Sequence, residues 1–554
     1  MSTRWWTVAL LLFAAPGWAQ DARIAVDIPD AVHVRAWPVT VGVPFGAGTL
    51  KDAGELAVSE EGGRGVLCQA VPTSFWPDGS IRWALVDFRA ERGWRYTLSR
   101  GPRAAAQDDI RLSEENGAFA VETGGARYLF APSSGGFSLD YDLNGDGRFA
   151  AEERLIAPEG MFYVVDSRGR RGEMRVERLE KALTGPRHVV VRMEGAYRAA
   201  DGARLAAAVV YVHFYAGLPW ARLCHKLVVT EDTNTLWFRE SGVRFALPPG
   251  EATGTFNDAR ETLTKTARVP LPPGATATLL QSDFPHFGST ASRFTLTAQQ
   301  GGETREISSG PAGGNWANLS TERWGLTAQL PAFCETFPKA FRLAEGELTV
   351  KLWAAECGRE LDFRTGTLIR EYFGTDWIPE THAVASVENS AQGTARTHEI
   401  WLYPHAGAFR AERAADYGAT HREIFAAPDP EYAMRTGVFG PLAAKEAGRF
   451  AEAEAAIEDY FHRYVTAGER VFPANGYIAY GLYPFSAQPW HQKKDRGNRW
   501  YPGVHRLSRC LEYNLKRGVW LLYARSGERD YRDYARRYTR LLDDMLFSHV
   551  EAPC

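Results

Sequence analysis

The sequence predicts a multidomain α+β protein in which strand-rich sequence comes first and an antiparallel helical array follows. Three observations predict it. The chain has 554 residues, room for three or four domains at ~150 residues each. From Ala22 to about His405, short runs rich in Val, Thr, Tyr and Phe are broken by Gly, Pro, Asp and Asn, the texture of strands and turns. After His405 the chain turns Ala- and Glu-rich with helical spacing.

Composition narrows the classes. Hydrophobic residues make up 45% and charged residues 24%, which excludes a mainly disordered chain. Lys plus Arg number 64 against 67 Asp plus Glu, a net charge of −3. A dedicated nucleic-acid binder needs a basic surplus, so that class loses weight. Aromatics reach 12%, suited to large β cores or to sugar-stacking clefts. For any one ring, core packing is the commoner fate.

Residues 1–19 read as a signal peptide. Arg4 gives the positive start, Val8 to Ala15 is apolar but short for a bilayer span, and Gly17-Trp18-Ala19 offers small residues before Gln20. No later run reaches ~18 apolar residues, so no membrane span is expected after cleavage. A secreted or periplasmic location follows.

Within the strand-rich part, Gln69–Trp76 and Ile81–Phe88 are joined by Pro77-Asp78-Gly79-Ser80, a turn sequence. Arg187–Tyr197, Arg204–Tyr215 and Pro219–Thr230 read as consecutive strands of one large antiparallel sheet. Ala406–Phe425 and Arg449–Ala467 are expected to be helical, the second with Phe450, Ala453, Ile457, Phe461 and Tyr464 on one stripe. Ser508–Ala524 and Asp530–Val550 form another helical pair, broken at Gly527, a natural C-terminal cap. The domains are then 20–115 (β), 116–405 (β) and 406–554 (helical). The last has 149 residues, whereas a closed toroid of six helical hairpins needs roughly 250 or more. The array therefore reads as truncated: a fragment, or a partial bundle.

Six cysteines show no zinc spacing. Export permits disulfides, and Cys334 with Cys357, flanking one hairpin, is the best candidate pair.

The sharpest motif is Asp142 to Glu153. It matches the calcium loop D-x-[DN]-x-[DN]-G-x₅-E at every specified position. Asp142, Asn144, Asp146 and Glu153 would supply side-chain oxygens and Arg148 its carbonyl, as hard Ca²⁺ prefers. The alternative is an acidic hairpin turn without an ion. Strand-like flanks suggest a structural ion pinning a hairpin.

A second concentration lies between predicted helices, where connecting segments carry function. It holds Tyr477, Tyr480, Tyr483, Trp490, His491, Lys493, Lys494, Arg496, Arg499, Trp500, Tyr501 and His505. Trp and Tyr give faces for sugar rings, His and Tyr can move protons, and Arg and Lys can neutralise a carboxylate. Asp495 and Glu512 are a weak candidate pair for a glycosidase. His188, His213 and His225 fall within strands and are expected to be packed or hydrogen-bonded there. There is no Walker loop, GxSxG elbow, HExxH motif or dinucleotide fingerprint.

Val41-Gly42-Val43-Pro44-Phe45-Gly46-Ala47-Gly48-Thr49-Leu50-Lys51-Asp52, with Phe75-Trp76-Pro77-Asp78-Gly79-Ser80-Ile81-Arg82-Trp83 and Val86-Asp87-Phe88, resembles the N-terminal domain of the exo-rhamnogalacturonan lyase family, which includes YetA-like proteins. Phe214 to Arg222 and Arg239 to Val243 resemble its β-sandwich. Tyr480-Gly481 and Leu522 to Arg529 resemble the start of its helical toroid. The resemblance implies an N-terminal RIFT barrel, a central antiparallel β-sandwich and a C-terminal α/α toroid. It also implies a polysaccharide lyase acting on uronate-containing pectic glycan, with an acidic polysaccharide or oligosaccharide as partner. For such an elimination, the clustering of these side chains within fifteen positions between predicted helices, and not a family motif, makes His491 or His505 the expected base, Tyr501 the acid and Arg499 the carboxylate clamp. Tyr480, Trp490, Lys493, Arg496 and Trp500 are expected to bind substrate. A toroid-type glycoside hydrolase and a non-catalytic glycan-binding protein are the competing classes.

Overall fold

The computed structural model describes residues 21–550 except 31, 35, 94, 105–109, 263, 287–288, 364–390, 419–423, 447, 463–472, 482–492, 495–499 and 502–514. The chain is predominantly β. The N-terminal unit combines a three-stranded sheet, in which Ile81–Ala90 lies between Trp37–Pro44 and Cys68–Phe75, with a five-stranded sheet built on Ala22–Asp27, Leu56–Glu60 and Arg95–Arg100. Alternation drives it: Trp37, Val39, Val41 and Val43 all turn into the same core. The Pro77–Ser80 turn forms as expected. Gly79 takes a left-handed φ of 80°, and the Asp78 carboxylate accepts from Ser80 N at 2.9 Å.

The centre is one antiparallel sheet of sixteen strands. Four neighbours matter for function: β1 (His188–Ala199), β2 (Arg204–Tyr215), β3 (Ala221–Val228) and β4 (Ala395–Ala406). The sheet curls until Trp316–Ser320 packs against Lys339–Ala344 and Glu347–Trp353, strands far away in the sheet order. The expected sandwich is thus one sheet folded over a single apolar core. A separate five-stranded sheet, Arg111 to Ile156, joins that core.

Two sequence expectations are corrected here. The helix expected over Ala406–Phe425 is a short turn of helix at Ala414–Gly418, followed by the strand Phe425–Pro428. That strand pairs antiparallel with Ala22–Asp27, and the backbone bonds of the barrel outweigh the local helical preference of alanine. Cys334 and Cys357 are free thiols. The hairpin between them forms, but Cys334 is buried against Gln281 Oε1 and Gly313 O, each at 3.2 Å, while Cys357 sits on the Arg359 backbone.

The Arg449–Ala467 stripe yields the helix Ala451–Tyr460, on which Ile457 stays exposed, as does Phe450 at its N-cap, while Phe461 at its C-cap is buried; Tyr464 lies outside the described residues. Two further helices are α1 (Leu515–Ser526) and α2 (Arg529–Leu546), joined at Gly527 with φ 72°. Trp520 Nε1 donates to Thr539 Oγ1 at 2.9 Å and holds the two together. Among the described residues no helix is long and apolar enough to cross a membrane.

Candidate functional site

Helix α2 has two faces by sequence. Tyr531, Tyr534, Ala535, Tyr538 and Leu542 recur at steps of three or four and are buried with Phe461 and Val519. The other stripe is charged: Asp533, Arg536, Arg537, Arg540 and Asp543. The sheet meets that stripe with an unusually polar surface. Period-two alternation puts Tyr211 and His213 of β2 in register with Cys224 and Arg222 of β3, which in turn face Glu399 and Trp401 of β4.

Two aspartates at the end of α2 anchor it. Asp544, fully buried, accepts from Thr397 N at 2.8 Å and Thr397 Oγ1 at 2.6 Å. Asp543 accepts from Lys226 Nζ at 2.8 Å. Burial pushes the Asp543 carboxyl up, but the Lys226 bond and charge prevail and hold it below the usual range.

Between α1, α2 and the sheet lies a cavity of about 460 Å³. It opens where the strand Trp324–Gln329 stops pairing with β4, leaving Ala395–Ile400 beyond its last partner in that register. The lining includes five cations, Arg396, Lys516, Arg536, Arg537 and Arg540. Three carboxylates, Glu399, Asp533 and Asp543, oppose them. Burial lowers the Arg536 guanidinium to about 10, and the nearby Arg532 and Arg222 charges add to the shift while Glu399 resists it. The cavity is therefore short of negative charge.

Of the sequence-predicted site residues, Tyr480 lines this cavity; its carbonyl lies 3.5 Å from Arg396 Nη2, and Arg537 sits 5.7 Å over its ring. Lys493 and Lys494 pair with Tyr501 and Trp500 in a two-stranded ribbon. Trp490, His491, Arg496, Arg499 and His505, with Asp495 and Glu512, lie outside the described residues. His188, His213 and His225 are in strands and hydrogen-bonded, as expected. The arginines of α2 were missed. Their signal was the spacing Asp533, Arg536, Arg537, Arg540, Asp543, which reads as a solvated helix face until a polar sheet is found opposite it.

The Asp142–Glu153 loop lies between the paired strands Phe137–Tyr141 and Arg154–Ile156, matching the expected flanks. Gly145 and Gly147 take the left-handed turns at φ 75° and 76°. Asp142 accepts from the amides of Gly145, Asp146 and Gly147 at 2.7, 3.1 and 2.8 Å. Buried Glu153 accepts from Leu143 N and Ala150 N, both at 3.0 Å. The donor types suit calcium, but these oxygens are turned to backbone amides, and among the described residues no group of three or more His, Cys, Asp or Glu converges as metal ligands.

Comparison with known proteins adds the following. Residues 30–100 match the PcRGLX-like N-terminal RIFT barrel domain. The uncharacterized protein YetA of Bacillus subtilis (strain 168) is 25% identical over 219 residues, 38% of this chain and 25% of that protein. The matched stretch thus spans a quarter of YetA. Among solved structures, a glycosyl hydrolase family 38 protein and an alpha-mannosidase, both from Enterococcus faecalis, are each 10% identical. They cover 74% of this chain, and 47% and 46% of their own, at TM-scores of 0.41 and 0.42. At that similarity no function is carried across.

Proposed function

Taking the chain as a member, through its N-terminal barrel, of the PcRGLX-like exo-rhamnogalacturonan lyase family, we propose that it is an exported polysaccharide lyase. Its substrate would be a uronate-containing pectic glycan of the rhamnogalacturonan type. The observation that supports this best is the cation-rich cavity between the sheet and α2. In β-elimination a base removes the proton next to the uronate carboxylate, and cations must stabilise the enolate-like charge that develops. An acid then protonates the leaving oxygen. Arg536 and Arg540 are suited to the cation role, with Tyr480 at the cavity wall. The α1–α2 hairpin is taken as part of an α/α toroid laid on the sheet.

Incubating the protein with rhamnogalacturonan oligomers and other uronate glycans should yield products with new ultraviolet absorbance from the unsaturated uronate. New reducing ends without that absorbance would instead identify a hydrolase, and binding without turnover a glycan-binding protein.

We also propose structural Ca²⁺ at Asp142, Asn144, Asp146, Arg148 and Glu153, reached when Glu153 exchanges its amide partners for the ion. An ion that binds only the folded state at 100 times its dissociation constant adds about 2.7 kcal/mol. Chelation should lower the melting temperature of the wild type and leave an Asp146→Ala, Glu153→Ala double mutant unmoved. A wild type indifferent to chelation, with no calcium by elemental analysis, means that the loop closes on its own amides alone.

A further inference from the structure

A second cavity, of about 470 Å³, shares no lining residue with the first. It lies where β4 ends and the chain turns at Gly407 into the helical turns Ala411–Arg413 and Ala414–Gly418. Arg410, Arg413 and Tyr417 fall there at steps of three and four, the spacing of one helix face, and all three line the cavity. The other walls include His33, ahead of the barrel strand Trp37–Pro44, and Tyr141 at the end of the strand Phe137–Tyr141.

Asp416 builds the site. It is fully buried, and its Oδ1 accepts from His33 N at 2.7 Å and Val34 N at 3.2 Å, which ties the barrel segment down. Its Oδ2 lies 2.8 Å from Arg413 Nε, so that guanidinium is held from behind while its side chain stays 38% exposed. The Arg413 charge acts on the hydroxyls of both Tyr141 and Tyr417. Arg410 is exposed and forms no ion pair among the described residues. Among the described lining residues there is no Asp or Glu. Asp416 therefore balances Arg413, and the Arg410 charge has no counterpart. His405 adds none at neutral pH: burial lowers it to about 4, and its Nε2 already accepts from Asn318 Nδ2 at 2.8 Å. Its ring instead stacks with Tyr417 at 6.4 Å between centroids.

We infer that this cavity is an accessory binding site for a carboxylate-bearing sugar, a uronate unit, whose carboxylate sits on Arg410 and Arg413 and whose ring packs against Tyr141 and Tyr417. A guanidinium fork matches a carboxylate with two parallel bonds. Aromatic walls with a few placed polar groups are what a small-ligand site requires. A neutral sugar gains nothing from the two arginines. The requirement for a carboxylate comes from the cavity itself, and the choice of a uronate rests on the proposed function. Glu399 lines the first cavity and Tyr403 this one. They are four residues apart on β4, about 13 Å at roughly 3.3 Å per residue. A single sugar does not reach across, so this site holds a different unit of the glycan from the one that reacts, and no bond is made or broken in it.

Calorimetric titration of the full chain with D-galacturonic acid and with D-galactose, which lacks the carboxylate, tests the site. The wild type should bind the acid at least about 10-fold more tightly than the neutral sugar, the worth of a charged hydrogen bond. Arg410→Ala should weaken the acid about 10-fold or more and leave the melting temperature unchanged, since Arg410 is exposed. Arg413→Lys, which keeps a cation beside Asp416 but loses the fork, should weaken it too. Both losses should recur in an Arg540→Ala background, where the first cavity has lost a cation. Equal binding of the two sugars, or undiminished binding of the acid in folded Arg410→Ala and Arg413→Lys, overturns the inference. The lyase reading is judged separately, by the unsaturated product: a protein that cleaves no glycan but binds galacturonic acid through Arg410 keeps this site and loses that reading.

Discussion

Replacing Trp37 with alanine is expected to destabilise the protein by about 3–5 kcal/mol, the cost of emptying a large aromatic site in a packed core. Trp37 opens the barrel strand Trp37–Pro44 and is 1% exposed. Its ring lies 5.1 Å from Trp220 and 6.4 Å from Trp401, both from the central part of the chain. Tyr403 extends the belt, 5.0 Å from Trp220 and stacked 6.2 Å from Trp401. The belt is the apolar seam that fastens the barrel to the sheet, and the Asp87–His188 bond crosses the same seam. Chemical unfolding followed by tryptophan fluorescence should show the midpoint falling sharply in Trp37→Ala and much less in Trp37→Phe, which keeps a ring in the site. A loss under about 1 kcal/mol in Trp37→Ala would mean that the two units hold together by other contacts.

Much of this architecture was legible because local and global preferences agree. Pro77–Ser80 turns where its residues demand, and Gly527 ends α1 in the left-handed region. The strands around residues 187–230 show the alternation that a half-buried sheet requires. Legibility failed where distant pairing decides. Residues 406–425 have alanine's helical preference, yet the chain returns to the barrel and finds the open edge of Ala22–Asp27. Cys334 and Cys357 flank a real hairpin, but sequence spacing says nothing of which way each thiol points. The candidate site divides the same way. Tyr480 was visible as an aromatic in a connecting segment. The charged stripe of α2 was not, because Asp533, Arg536, Arg537, Arg540 and Asp543 look like any solvated helix face until the fold sets β3 and β4 opposite them.

Acidification should remove a comparable amount of stability through buried histidines. His225, on β3, is 1% exposed, stacks on Phe162 at 5.5 Å, and receives the Tyr197 hydroxyl on Nε2 at 2.6 Å. Burial lowers it from 6.5 to about 4. Its register partner His398 is lowered too, by burial first and then by the Lys339 and Arg396 charges. Both are neutral in the folded chain where the unfolded chain has them protonated. The unfolded state therefore binds more protons between pH 6.5 and 4, and stability falls as pH falls through that window. It is complete above 6.5, and by pH 4 the loss from His225 alone reaches about 3 kcal/mol at 1.36 kcal/mol per unit. Carboxylates held low by cations, such as Asp543, lose their contribution only below about pH 4, where the carboxylate itself takes up a proton. Urea unfolding at pH 7, 5.5 and 4.5 should thus show a steady decline in the wild type. In His225→Gln, whose amide oxygen can still accept from Tyr197, the decline should be shallower by up to about 2–3 kcal/mol at pH 4.5. Equal slopes in the two proteins would show that His225 takes up its proton in the folded chain as readily as in the unfolded one.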